Sequence, residues 1–139
     1  MKISTKGRYG LTIMIELAKH YGEGPVPLRQ IAEEKNLSEA YLEQLVSPLR
    51  IAGLVKSVRG AYGGYLLALP PDKISAADVI KVLEGPIQPV EGIEEEESPQ
   101  RELWIRIRDA VKNVLDTTSL DDLAKNNDDT EYDGYMFYI

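Results

Sequence analysis

The sequence contains no cysteine and a single histidine, and each scarcity excludes a class of chemistry. Without cysteine, the chain cannot form disulfides, use a thiolate nucleophile or bind a metal through thiolates. His20 is the only imidazole, and we interpret it as a solvated residue near a helix end. A phosphate-binding glycine motif and a convincing general base are also missing. The residues therefore predict no metal, no cofactor and no enzymatic activity.

Long apolar runs are missing as well. No stretch approaches the roughly 18 apolar residues that a membrane-spanning helix needs, and the start MKISTKGRYG lacks the apolar core of a signal peptide. These two absences predict a cytoplasmic protein.

The net charge of −7 is unevenly distributed. Residues 1–65 hold nine Lys/Arg and six Asp/Glu, a net charge of +3, whereas residues 66–139 hold seven and 17, a net charge of −10. An acidic chain repels a polyanion, so any contact with nucleic acid is expected in the first half.

Apolar residues at helical spacing predict three helices in the first 53 residues. The first covers residues 4–22, the second covers residues 28–35, and the third begins after the N-cap Ser38 and stops at Gly53. Pro48 is expected to kink or divide the third helix. Two helices joined by a short turn are typical of a helix-turn-helix, although many helical proteins contain such a pair.

The stretch LVKSVRGAYGGYLLAL at 54–69 predicts a β-hairpin with strands at 54–59 and 65–69. A hairpin directly after a helix-turn-helix is the order of a winged helix. The predicted fold is mainly α with a small β-hairpin. It divides into a winged helix-turn-helix DNA-binding domain (1–72), connecting and dimerisation helices (73–126), and a flexible tail with an aromatic C-terminus (127–139).

The second half predicts a helix capped by Ser75 and Asp78 and a long helix from Ser98 and Pro99 to about Asp116. The long helix is apolar on more than one side, and one apolar side would remain wet in a monomer, which costs about 25 cal/mol per Å². Pairing with a second copy is the simplest remedy. The predicted dimerisation residues are Leu103, Trp104, Ile107, Ala110, Val111 and Val114.

The outer face of the third helix has few charges in its middle, which favours base readout in a major groove. Gln44 can pair with adenine, Glu43 can accept a hydrogen bond from cytosine, and Ala40 can touch a thymine methyl group. Arg59, at the hairpin tip, can enter a narrow minor groove. The alternative is a merely solvated helix face and a surface arginine paired with a carboxylate. The full set of candidate DNA-binding residues is Lys6, Tyr9, Ser38, Ala40, Tyr41, Glu43, Gln44, Ser47, Lys56, Arg59 and Tyr62.

Four segments resemble a family of bacterial winged-helix regulators that includes an iron–sulfur assembly regulator and a cysteine-metabolism repressor. They are STKGRYGL at 4–11, SEAYLEQLVSPLR at 38–50, AGLVKSVRGAYGGYLL at 52–67 and DVIKVLEGPI at 78–87. The resemblance implies a homodimeric repressor whose third helix and wing contact DNA and whose long helix forms the dimer. Cluster-binding members carry three cysteines before that helix, where this chain has VEGIEEEESPQRELW. Cluster sensing is therefore rejected.

Within this family the chain is most similar to the cysteine-metabolism type, including RELWIRIRDAVKNVLD and the ending YMFYI. That likeness implies cysteine synthase (O-acetylserine thiol-lyase) as a partner and O-acetylserine as the signal. The hypothesis is that the tail enters the active site of the enzyme; the alternative is that YMFYI folds back on the dimer. A module that keeps the tail but no longer binds DNA is the competing function. The predicted partner-binding residues are Tyr135, Met136, Phe137, Tyr138 and Ile139.

Overall fold

The computed structural model describes residues 2–125, which form a mainly helical domain with one antiparallel hairpin, as the sequence predicts. Short 3₁₀ turns lie at Pro71–Lys73 and Ile93–Glu95, and helical residues resume at 120–125. None of the helices in this part of the chain is both long and apolar enough to cross a membrane. The elements are α1 (Thr5–Lys19), α2 (Leu28–Lys35), α3 (Glu39–Ile51), β1 (Val55–Val58), β2 (Gly64–Leu67), α4 (Ala76–Glu84) and α5 (Arg101–Thr117).

Helix α1 lies at the centre of the domain, where it packs against α3 and α4. Ile13, Met14 and Leu17 are almost completely buried, whereas Leu11 and Ile15 are only half-buried, so the buried face is rotated slightly from the predicted stripe. The helix ends at Lys19, three residues earlier than predicted. The chain then leaves helical geometry through glycines with positive φ, beginning at Gly22.

Two glycines allow α1 and α4 to approach closely. A Cβ atom on Gly10 would lie 1.9 Å from Cδ1 of Leu83, and one on Gly7 would lie 2.5 Å from Oε1 of Glu84. Both distances are far inside van der Waals contact, so any side chain at these positions requires neighbouring atoms to move. The close approach brings the C-terminal turn of α4 to the N-terminus of α1.

Glu84 caps the N-terminus of α1 from the neighbouring helix. Its Oε1 accepts hydrogen bonds from the backbone N–H of Ser4 at 3.1 Å and of Gly7 at 3.0 Å, and from the Ser4 hydroxyl. The Ser4 hydroxyl is the main reason that the pKa of Glu84 lies below its usual value. Two amides at the start of α1, those of Ser4 and Gly7, are therefore satisfied by a carboxylate, which also interacts favourably with the helix dipole.

The helix-turn-helix forms where the sequence predicts it. Asn36 ends α2 in the left-handed conformation with φ of 54°, and the Ser38 hydroxyl accepts a hydrogen bond from the backbone N–H of Tyr41 at 3.3 Å. Of the two effects expected at Pro48, division of α3 is wrong, because the helix continues to Ile51, and a kink stays a prediction. Proline removes one backbone hydrogen bond, and the burial of Leu45 and Leu49 on either side of it stabilises the unbroken helix.

Helix α5 begins later than predicted. Its N-cap position is Gln100 rather than Ser98, because the backbone N–H of Arg101 bonds the carbonyl of Ser98 at 3.1 Å and closes a separate turn. The Arg101 side chain donates a hydrogen bond from Nε to the carbonyl of Ile93 at 2.9 Å. This contact fixes the loop before α5 to the start of the helix.

The chain returns to the start of α4 after α5. Ser75 and Asp78 form the predicted capping box, and Ser119 and Asp122 form a second one beside it. Two backbone hydrogen bonds join these segments, from Ala76 to Thr118 at 2.8 Å and from Leu120 to Ile74 at 2.9 Å. The Leu120 side chain is fully buried in the main hydrophobic core. Residues 118–120 are therefore anchored to the domain.

A buried carboxylate joins α1 to α2. Glu16 lies 3.2 Å from the ammonium groups of both Lys19 and Lys35, and its side chain is only 7% exposed. Burial opposes the charged form, but the hydrogen bonds and charges of the two lysines outweigh it and hold the pKa of Glu16 below its usual value. Stability from this group is present above its unfolded pKa and is lost as the pH falls through the folded pKa.

Glu16→Gln is expected to lower the free energy of unfolding by about 1–3 kcal/mol at pH 7, because Lys19 and Lys35 lose the buried carboxylate that pairs with both of them. The difference from wild type should shrink as the pH falls through the lowered pKa of Glu16, because the wild-type carboxylate then becomes protonated. Urea unfolding at neutral pH and at a series of acidic pH values measures this. Glu33→Gln is the control, since Glu33 is 68% exposed and pairs with Arg29 at the surface, where a loss under about 0.5 kcal/mol is expected. A pH-independent loss for Glu16→Gln would contradict the assignment.

Candidate nucleic-acid interface

The face of α3 opposite the core carries the predicted base-reading residues. Leu42 and Val46 are fully buried beneath the helix, whereas Ala40, Glu43 and Gln44 are exposed. Ser47 is half-buried, so it offers less surface for contact with DNA than Ala40, Glu43 and Gln44 do. The Ser38 hydroxyl caps α3 and keeps its own proton available for a phosphate oxygen.

The wing projects from the C-terminal end of α3. Strands β1 and β2 pair from Val55 with Leu67 to Val58 with Gly64, which is shorter than the predicted strands. Arg59 follows the last pair and is exposed, and Tyr62 is 94% exposed at the tip. Lys56 is exposed on β1. The hairpin therefore presents cations and a tyrosine to solvent, which are suited to phosphates and a minor groove.

The end of β2 nearest the tip of the wing is held against the segment before α2. The backbone groups of Tyr65 and Val26 exchange two hydrogen bonds, of 2.8 Å and 2.9 Å. A Cβ atom on Gly64 would lie 2.5 Å from the Val26 carbonyl, so only glycine permits this approach. The wing is thus fixed to the helix-turn-helix by its backbone.

A side-chain contact also joins the wing to α3. The Tyr65 hydroxyl donates a hydrogen bond to Oε2 of Glu43 at 3.2 Å. Burial, and then the nearby Glu43 carboxylate, raise the pKa of Tyr65, so the hydroxyl remains protonated and able to donate near neutral pH.

A groove lies between the wing and the two helices of the helix-turn-helix. Of its twelve lining residues, the predicted DNA-binding set contains only Glu43 and Arg59, and those missed include the polar side chains of Arg29 and Tyr65. Arg29 pairs with Glu33 at 3.1 Å, a spacing typical of any solvated helix, and Tyr65 is indistinguishable in sequence from other strand aromatics. The groove is lined by Pro27, Leu28, Arg29, Glu39, Glu43, Ser57, Val58, Arg59, Gly60, Gly63, Gly64 and Tyr65.

The N-terminus of α1 lies beside the start of α3. The Tyr9 and Tyr41 rings meet edge to face with centroids 5.9 Å apart, and both residues are half-buried. Lys6 is exposed on the same first turns of α1. Because the Glu84 carboxylate lies at the N-terminus of α1 and would repel a phosphate there, a phosphate contact in this region is expected from the exposed Lys6 side chain.

Helix α5 contains no buried residue, although one side rests on α4. Leu103, Ile107 and Val114 are 46%, 38% and 61% exposed, Ala110 is exposed, and Trp104 and Val111 are half-buried. Ile3 joins Ala110, Val111, Val114 and Leu115 around an entirely apolar depression. A single chain therefore presents an apolar helix face to solvent.

The fold and this surface define a winged helix-turn-helix regulator. A family model described as "Rrf2: Iron-dependent Transcriptional regulator" matches residues 3–126, and the chain belongs to this family of transcriptional regulators. The family is one of regulators rather than enzymes, in agreement with the sequence prediction.

Comparison with individual relatives indicates which members of the family the chain resembles. The chain is 71% identical to the HTH-type transcriptional regulator CymR of Bacillus subtilis over 139 residues, which cover all of both chains. It is 42% identical to the IscR regulator of Aliivibrio salmonicida over 92% of this chain and 80% of that protein. A solved structure of CymR, described as the global cysteine regulator of B. subtilis, superposes with a TM-score of 0.86 at 72% identity, over 91% of this chain and 98% of that one. These findings confirm the predicted likeness to a cysteine-metabolism regulator.

The family description includes iron dependence, but the residues of this chain do not fit an iron–sulfur cluster. The sequence has no cysteine, and residues 2–125 contain no cluster of three or more His, Cys, Asp or Glu side chains that could hold a metal ion. The loop before α5 carries glutamates, which do not supply the thiolate or imidazole ligands of an iron–sulfur cluster. The donor set does not fit such a cluster.

Proposed function

We propose that the protein is a homodimeric repressor that binds a partly palindromic operator, with α3 in the major groove and the wing in the adjacent minor groove. The observation that carries this proposal is the shared groove, in which Glu39 and Glu43 of α3 lie beside Arg59 of the wing. Half-sites for such dimers lie about 34 Å apart, one helical turn of DNA.

The contacts divide into base readout and positioning. Gln44, Glu43 and Ala40 read base edges, and Arg59 reads the width and potential of the minor groove. The remaining residues position the protein on phosphates and are Lys6, Tyr9, Ser38, Tyr41, Ser47, Lys56 and Tyr62. Specific affinity should fall steeply as salt rises, because phosphate contacts release counterions.

The dimer forms through the apolar face of α5. Its exposed leucine, isoleucine and valine side chains, together with Ile3, supply surface that a second copy can cover symmetrically. Burial of this surface stabilises the dimer by about 25 cal/mol per Å² before the cost of association.

Sequencing of genomic DNA retained by the purified protein, with and without cysteine synthase, tests the function. We expect a palindromic motif near genes of sulfur and cysteine metabolism, because the chain is 71% identical to B. subtilis CymR, whose structure is described as that of a global cysteine regulator. Retention of DNA without any shared motif would contradict the proposal. Retention of no DNA would favour the interaction module that lacks DNA binding.

We further propose regulation by cysteine synthase, with the chain terminus entering its active site. The five residues concerned, Tyr135 to Ile139, lie outside the described residues. In the sequence, Tyr138 and Ile139 are apolar residues next to further aromatics, which suits insertion into a pocket that also holds an amino-acid substrate. O-acetylserine would compete for that pocket and release the enzyme.

Deletion of Tyr138 and Ile139 is expected to weaken binding to cysteine synthase by roughly tenfold or more, since the anchoring residues are lost. Calorimetric titration with the enzyme measures this, and O-acetylserine should compete with the full-length chain. Operator affinity of the deletion variant without enzyme serves as the control and should equal that of wild type. Unchanged affinity for the enzyme would contradict insertion of the tail.

A further inference from the structure

Tyr65 is the residue at which the wing, the segment before α2 and α3 meet. Its backbone exchanges two hydrogen bonds with Val26 and pairs with Ser57 across the hairpin. The glycine before it admits no side chain because the Val26 carbonyl lies too close. The Cα position of Tyr65 is therefore fixed on both sides, and its half-buried ring has little freedom to move.

The Tyr65 hydroxyl reaches an exposed residue on the base-reading face of α3. It donates to Oε2 of Glu43 at 3.2 Å across 22 positions of sequence. Within residues 2–125, Oε1 of Glu43 has no hydrogen-bond donor. One carboxylate oxygen is thus held by the wing, and the other remains free to accept a hydrogen bond from outside.

This arrangement matters because a free glutamate is a poor reader of bases. Its three side-chain torsions must be ordered on binding, which costs up to about 2 kcal/mol of conformational free energy. Its negative charge is also repelled by nearby phosphates unless a cytosine amino group is placed to donate to it. A donor on a rigid strand lowers the ordering cost by fixing the carboxylate before DNA arrives, and it can hold the carboxylate where a cytosine amino group offsets the repulsion.

We infer that Tyr65 is a positioning residue that orients Glu43 for base readout and so helps set the sequence preference of the protein. The inference rests on the proposed DNA-binding function. It assigns to Tyr65 no contact with DNA of its own. Its effect should therefore appear only at base pairs that Glu43 reads.

Tyr65→Phe removes the donor and keeps the ring. Affinities are measured by fluorescence anisotropy for three kinds of DNA. They are the operator retained by the protein, random DNA, and operator variants in which one base pair of the half-site is changed symmetrically in both arms. At the base pairs whose discrimination depends on Glu43, identified with Glu43→Ala, Tyr65→Phe should reduce discrimination about fivefold to tenfold, as expected for loss of a solvent-exposed hydrogen bond. Discrimination at the other positions should stay as in wild type. The double variant Glu43→Ala/Tyr65→Phe should lose no more discrimination at the Glu43-dependent base pairs than Glu43→Ala loses alone.

Tyr21→Phe is the matched control, because Tyr21 is exposed in the connection between α1 and α2, outside the proposed interface. It should equal wild type on every sequence. Thermal unfolding of each variant detects a purely structural role. The inference would be overturned if the Tyr65→Phe variant bound every sequence more weakly by one common factor, or if it matched wild type on every sequence. Either result would leave the proposed function intact. Wild-type protein with no preference among sequences would overturn the proposed function, and the inference with it.

Discussion

Val114→Asp is expected to convert the dimer into a monomer and to abolish specific operator binding. The Val114 side chain is 61% exposed in a single chain, so the aspartate should leave folding of the subunit nearly unchanged. A symmetric interface repeats the substitution in both subunits, and each buried, unpaired carboxylate costs several kcal/mol. A cost of about 3–5 kcal/mol weakens the dimer by roughly a hundredfold to several thousandfold.

Light scattering at micromolar concentration and gel shifts on the operator measure the two effects of Val114→Asp. Asn113→Asp provides the matched control: it adds the same charge at the neighbouring residue. At about 100° per residue, Asn113 lies away from the apolar face. This control should remain dimeric and bind the operator normally. A dimeric Val114→Asp variant with wild-type operator affinity would show that the dimer uses a different surface.

Arg59→Ala is expected to weaken operator binding by at least about thirtyfold, because each of the two wings loses a contact of about 1–3 kcal/mol. Random-sequence DNA should lose less, since only charge is removed there. Arg59→Lys retains the charge but not the planar guanidinium, so it should recover binding to random DNA and only part of the operator affinity.

Titrations of operator and random DNA at several salt concentrations check the role of Arg59. The alanine variant should also release fewer counterions, which reduces the salt dependence of the binding constant by about one unit of slope per lost charge contact. Equal losses on both kinds of DNA would mean that Arg59 contacts phosphates alone. No loss on either would remove the wing from the interface.

Elements defined by local chemistry could be predicted from the sequence. The bounds of α2 and the Ser75–Asp78 capping box depend on residues within one helical turn, and both occur as predicted. The start of α5 was misplaced because the turn from Ser98 to Arg101 competes with helix initiation at Pro99. That competition depends partly on Arg101 reaching back to the Ile93 carbonyl, which the local pattern does not reveal.

Features that depend on distant contacts could not be predicted. Gly7 and Gly10 look like poor helix residues until α4 is placed against them, more than 70 positions later in the chain. The continuity of α3 through Pro48 likewise depends on the surrounding core. In the candidate site, the residues on α3 and at the wing tip were accessible to helical and hairpin periodicity, whereas the contact of Glu43 with Tyr65 required the wing to be folded against the helix.

Burial of Leu120 fixes the last described turn against the folded body. Because residues 118–120 are bonded to the beginning of α4, the helical residues 120–125 start beside that helix. A chain of 14 residues, the number from 126 to 139, extends at most about 48 Å. A globular enzyme of about 300 residues is itself roughly 50 Å across. If the proposed partner grips the final residues, its nearest surface is therefore held within about one enzyme diameter of Lys125.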